Sequence, residues 1–132
     1  MEESQPLRGL SVLLVDDDED TRDIIERVLS RRGAQVVAVP SAAAALETFS
    51  RQHFDVLLVD IMMPGMDGYE FMRKVRALPP EKGGRVPAAT LTARAVTDDR
   101  LESLRAGFQN HLAKPVEPTE LVEVVAALAG RA

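Results

Sequence analysis

Five short apolar runs, separated by stretches with helical spacing, leave this sequence few folds to choose from. Ser11 to Val15 is a run of mostly branched residues that stops at Asp16-Asp17-Asp18-Glu19-Asp20. Gln35 to Val39, Val56 to Val59, Val86 to Leu91 and Gln109 to Ala113 are the other four. Such runs, without strict alternation, mark strands buried on both faces. Between the first two, Ile24, Ile25, Val28 and Leu29 recur at helical spacing until Gly33 ends the helix. Ser41 is the N-cap expected for an Ala-rich helix that turns Leu46 and Phe49 inward. A turn cluster, Met63 to Gly68, precedes a helix through Phe71, Met72, Val75 and Leu78. Pro79 to Gly84 is a polar loop, and Thr97 then caps a helix that carries Leu101 and Leu104 and closes at Gly107. Pro118 begins a last helix with Leu121, Val124, Val125 and Leu128 as its stripe. Strands alternating with helices in this way predict an α/β fold, a doubly wound parallel sheet of five strands in a (βα)5 arrangement.

In an open parallel sheet, ligands bind beyond the carboxyl ends of the strands. Four of the five runs end in reactive or binding side chains. Asp16 and Asp17 follow the first, Asp60 the third, Thr92 the fourth and Lys114 the fifth. Three carboxylates gathered at one rim repel each other, and a divalent cation with oxygen ligands relieves that. Mg²⁺ in particular suits one or two carboxylates together with water and phosphate oxygens. Phosphoryl transfer needs mainly positioning and neutralised charge, and a carboxylate is a competent covalent acceptor. Asp60, at the end of the central run, is the best-placed acceptor. Each piece alone has a plainer explanation. Asp16 to Asp20 also suits an acidic helix N-terminus, and Asp60 also suits a turn before Met63-Pro64-Gly65. The combination at four strand ends is what points to chemistry.

The chain has 132 residues, enough for one domain with its own core. It has no cysteine, which excludes disulfides and thiolate metal sites. A net charge of −5 without a basic stripe speaks against direct binding of nucleic acid. No apolar stretch suggests a membrane span, and Met1 to Arg8 lacks the pattern of a signal peptide. These features together fit a cytoplasmic protein. We expect a tail or linker over residues 1–9 and the domain over residues 10–130.

The motifs resemble the receiver (response-regulator) domains of two-component phosphorelay signalling. Val12-Leu-Leu-Val-Asp16-Asp17-Asp18 is similar to that family's acidic strand end. Asp55 to Gly68, through Val59-Asp60 and Met63-Pro64-Gly65-Met66-Asp67-Gly68, is similar to its phosphoacceptor motif. Leu91-Thr92-Ala93 resembles the switch threonine and Lys114-Pro115 the family's lysine with its proline. The resemblance runs from about Leu10 to Ala129. It implies a flavodoxin-like sheet of strand order 2-1-3-4-5 and a cis Lys114–Pro115 peptide. It also implies Mg²⁺ (or Mn²⁺) held by Asp17, Asp60 and the Met62 carbonyl, with Asp16 reaching the metal through water. The implied donor is a phosphohistidine on a sensor histidine kinase or histidine phosphotransfer protein. The implied output face comprises the Thr97–Ala106 helix, the fifth strand and the last helix, whose wide apolar face also allows a homodimer. Such a domain is a phosphoacceptor that assists its own phosphorylation and dephosphorylation, not an enzyme in the ordinary sense.

Leu78 to Pro87 and Ala106 to Pro118 most resemble receivers fused to the C-terminus of hybrid histidine kinases, and Leu7 to Leu10 resembles the linker before them. The family often has an aromatic residue three positions before the lysine; here that position is His111, expected as a partly exposed strand-end residue. His53 is expected at the surface. Met62 and Arg94 flank the acceptor and are expected to shield an acyl phosphate from water. Three other readings compete. A metal-dependent phosphatase needs a second acid just after Asp60, where Ile61, Met62 and Met63 stand. A nucleotide binder needs a Gly/Ser/Thr loop after the first strand. A degenerate receiver acting only as a scaffold has no use for the full set of site residues.

Overall fold

The computed structural model describes residues 5–93 and 97–131. Its strands are β1 (Ser11–Val15), β2 (Gln35–Val39), β3 (Val56–Asp60), β4 (Ala88–Thr92) and β5 (Asn110–Ala113). Its helices are α1 (Glu19–Arg31), α2 (Ala42–Phe49), α3 (Gly68–Arg76), α4 (Thr97–Ala106) and α5 (Pro118–Leu128). Among the described residues a single 3-10 turn, Pro80–Lys82, sits in the loop before β4. The five strands are parallel in the order β2-β1-β3-β4-β5. β4 starts at Ala88, later than the apolar run suggests, because Pro87 has no N–H to give to a ladder.

The pleat sends neighbouring residues to opposite faces, and each face has its own core. Leu13, Val15, Leu57, Val59 and Ala88 meet Phe49, Phe71, Met72, Val75 and Ala106 from α2, α3 and α4. Val12, Leu14, Leu58, Ala89, Leu91 and Leu112 meet Ile25, Leu29, Leu121 and Val125 from α1 and α5. Leu7 joins this second core with no exposed surface; its N–H donates to the Arg32 carbonyl at 3.0 Å.

Capping follows the side chains. Asp18 accepts from the Thr21 N–H to start α1, Ser41 from Ala44 for α2, Asp67 from Glu70 for α3, and Glu117 from Thr119 and Glu120 for α5. Gly33 takes φ +101° after α1, a conformation that costs other residues strain. α4 is the exception to apolar packing. Its marker residues Leu101 and Leu104 are 50% and 64% exposed, and the helix buries Ser103 and Ala106 instead. Polar ties hold it. Arg73 of α3 pairs with Glu102 at 3.0 Å, and Arg76 donates to the Gly107 carbonyl from Nε (3.0 Å) and Nη2 (2.6 Å). Arg76 Nη1 also reaches the Gly84 carbonyl at 3.0 Å.

Candidate functional site

β1 and β3 run side by side with Val15 opposite Val59, so Asp16 and Asp60 leave the sheet next to each other. Asp16 is fully buried and Asp60 only 4% exposed, while Asp17 lies in the open. Asp16 is fixed on all sides: its N–H donates to the Val39 carbonyl, its Oδ1 accepts from the Asp18 N–H at 2.9 Å, and its carbonyl accepts from Arg22 Nη1 at 2.8 Å. One carboxylate oxygen from each of Asp16, Asp17 and Asp60 falls within 4.8 Å of the others.

Lys114 comes in from the end of β5, across a peptide bond to Pro115 that is cis, as the resemblance implied. Its Nζ lies 2.8 Å from Asp16 Oδ2 and 3.5 Å from Asp60 Oδ1. The Met62 N–H donates to Asp60 Oδ1 at 3.3 Å. Thr92 closes β4 one residue beyond Leu91, which is the partner of Asp60 in the ladder, and its carbonyl accepts from the Lys114 N–H at 2.7 Å. The sheet thus brings Asp16, Asp17, Asp60, Thr92 and Lys114 to one rim. The Met62 side chain, 78% exposed, projects into solvent beside them. Arg94 lies outside the described residues. His111 is half-buried on β5 and His53 exposed, its Nε2 3.1 Å from Asp55 Oδ1.

Electrostatics sharpen this arrangement. Burial, and then the charge of Asp16 and the Asp17 carboxyl, push the Asp60 carboxyl up to about 7. Lys114 loses hydration, which favours its neutral form, yet the carboxylates of Asp16 and Asp60 outweigh that and hold its pKa above the ordinary lysine value. Three carboxylates against one ammonium leave negative charge in excess. Hard, all-oxygen donors at this spacing fit a divalent cation such as Mg²⁺.

Sequence reasoning missed two supports of the site. The Arg22 bond to the Asp16 carbonyl depends on the turn of α1 and has no local signature. Gly68 is a packing requirement: a Cβ there meets the Asp60 carbonyl oxygen at 2.5 Å and the Ile61 Cα at 2.9 Å. The Gly68 N–H also donates to the Ile61 carbonyl at 3.0 Å, so α3 starts directly against the end of β3.

Residues 12–126 match the family of the response regulator receiver domain. An uncharacterized 14.6 kDa protein of Leptolyngbya boryana is 45% identical over 121 residues, which cover 92% of this chain and 91% of that protein. The sensor protein GacS of Pseudomonas syringae is 34% identical over 126 residues, 95% of this chain but 14% of the sensor. Among solved structures, the receiver domain of sensor histidine kinase PA1611 from Pseudomonas aeruginosa has a magnesium ion coordinated in its active-site cleft. It is 37% identical with a TM-score of 0.84, over 92% of this chain and 98% of that one. The chemotaxis protein CheY4 of Vibrio cholerae superposes with a TM-score of 0.85 at 28% identity, over 90% and 98% of the two chains. Among the described residues no helix is long and apolar enough to cross a membrane.

Proposed function

The chain belongs to the response regulator receiver domains of two-component signalling, and from that premise we propose that Asp60 is its phosphoacceptor. The observation that carries the proposal is the meeting of Asp16, Asp17, Asp60 and Lys114 at one rim of the sheet. The donor is a phosphohistidine on a sensor histidine kinase or histidine phosphotransfer protein. An Asp60 carboxylate oxygen attacks phosphorus, the phosphorus–nitrogen bond breaks, and the imidazole leaves with the electron pair and takes up a proton. The product is an acyl phosphate, and its hydrolysis resets the site.

Asp17, Asp60 and the Met62 carbonyl would hold Mg²⁺ or Mn²⁺, with Asp16 supporting the ion through water. When bound, the cation neutralises charge on a phosphoryl oxygen. Lys114 Nζ, already 3.5 Å from Asp60 Oδ1, pairs with a second oxygen, and the Thr92 hydroxyl donates to a third. The added charge draws Thr92 and Lys114 toward Asp60 and biases α4, β5 and α5, the face offered to partners. The domain acts in the cytoplasm without binding nucleic acid or membrane. Leu7 lies before residue 10, yet it packs in the core, so we place the start of the folding unit at Leu7.

Acetyl phosphate with Mg²⁺, read by intact mass, tests the reading. One phosphoryl adduct is expected on the native chain and none on Asp60→Asn. A native chain that stays unmodified leaves the scaffold reading in its place.

A further inference from the structure

At the end of the sheet away from Asp60, a cavity of about 650 Å³ opens between the end of α2, the end of α3 and the loop before β4. It is lined by residues just ahead of Val56, which opens β3, whereas Asp60 closes that strand; about 13 Å of extended chain separates the two. Nothing in the chemistry at Asp60 uses this cavity. Its volume is that of a small-molecule site, and such sites are mostly apolar with a few placed polar groups. Leu46 and Leu78, both half-buried, supply apolar wall, and the rings of Phe49 and Phe54, stacked with centroids 6.2 Å apart, complete it. Gly83 lets the loop run close against the Phe49 ring: a Cβ there meets Cζ at 2.7 Å, and its φ of +92° suits glycine. The charged lining is one-sided. Arg51 is taken up by Glu47 at 2.8 Å, and His53 by Asp55 at 3.1 Å. Lys74 and Lys82 are exposed and enter no ion pair among the described residues, and Glu81 is the one acid in the lining. In a chain of net charge −5, two uncommitted ammonium groups beside an apolar wall favour an anion.

We propose that this cavity binds a small amphipathic anion, an aromatic carboxylate or sulfonate. The aromatic body packs on Leu46, Leu78 and the phenylalanine pair, where ring against ring adds to the burial of apolar area. The acid group pairs with Lys74 and Lys82, whose flexible stems let both ammonium groups close on one anion. A neutral molecule of the same shape gains the packing without the pairing, and a bare inorganic anion the pairing without the packing. The site makes no use of the reading of Asp60 and stands or falls apart from it.

Two fluorescent probes test it: 8-anilinonaphthalene-1-sulfonate and its uncharged counterpart N-phenyl-1-naphthylamine. Each is titrated into the native chain, Lys74→Gln, Lys82→Gln and the double variant. Exposed ion pairs are modest, so each single variant is expected to bind the sulfonate about twofold more weakly and the double variant about fourfold, with the neutral amine unchanged. Added salt is expected to weaken the sulfonate on the native chain and to have little effect on the double variant. The backbone amide resonances of Gln52, Phe54, Lys82 and Gly83 are expected to shift with the sulfonate, and those of Asp16, Asp17 and Asp60 to stay put. Equal affinity of the native chain and the double variant for the sulfonate, a loss shared by the neutral amine, or shifts centred on Leu101 and Leu104 instead of the cavity each overturn the proposal. A native chain that takes up neither probe overturns it as well, and none of these results touches the reading of Asp60.

Discussion

Titrating the metal-free protein from pH 5 to pH 8 puts the crowding of the acidic rim to a direct measurement. Asp60 is 4% exposed, and burial first, then Asp16 and Asp17, carry its carboxyl from 3.8 to about 7. The native state then binds the Asp60 proton more tightly than the unfolded chain does. Stability is therefore full below the unfolded value and declines as pH rises through the folded one. Between those limits the loss is at most about 4 kcal/mol, a large share of the 5–15 kcal/mol typical of a domain. Urea unfolding followed by circular dichroism, in chelator, at pH 5, 6, 7 and 8 reads it. Asp60→Asn is expected to flatten the profile and to exceed the native chain in stability at pH 8. Mg²⁺ at a hundredfold its dissociation constant returns about 2.7 kcal/mol to the native chain at pH 8. A native profile that is flat or rises from pH 5 to 8, or an equal slope in Asp60→Asn, refutes the argument.

Three further outcomes are expected. Leu7→Ala lowers stability by about 2–5 kcal/mol in urea unfolding, since Leu7 is fully buried in the core beside α1 and α5. Gly68→Ala forces apart the end of β3 and the start of α3, costing about 1–3 kcal/mol, and weakens Mg²⁺ binding by calorimetry because Asp60 is displaced. Met62→Asn shortens the lifetime of the phosphorylated state, followed by intact mass, since a polar amide in place of the thioether admits water beside Asp60; an unchanged lifetime removes the shielding role.

Much of this architecture could be read from the residue order because local signals and tertiary needs agree in it. The run Val56 to Val59 is apolar on both pleats because helices cover both faces, and that same burial is what leaves Asp60 at a strand end. Ser41 caps α2 through a bond spanning three residues, a distance that sequence can see. Asp16, Asp17, Asp60 and Lys114 could be grouped only because parallel strands present their ends together. Two of the misses share one cause, which is distance along the chain. Arg76 meets Gly107 across 31 residues, and no local pattern marks that contact. Leu7 sits in a short polar stretch, and its burial depends on the end of α1 folding back over it. Leu101 and Leu104 have helical spacing, but that spacing does not say which side of α4 meets the sheet; Ser103 and Ala106 take that place.

The grip of Arg76 on Gly107 has a mechanical consequence. A rigid, planar guanidinium with two N–H groups on one carbonyl resists translation of that end of α4, while the exposed leucines and the solvent-exposed Arg73–Glu102 pair add little resistance elsewhere. Motion of the helix is then angular, like a lever on a fulcrum. Ten residues span about 15 Å, so a tilt of about 10° sweeps the free end through roughly 2–3 Å while the pinned end hardly stirs. A small tug near the sheet rim is thus magnified along the helix, and Leu101 travels farther than Leu104.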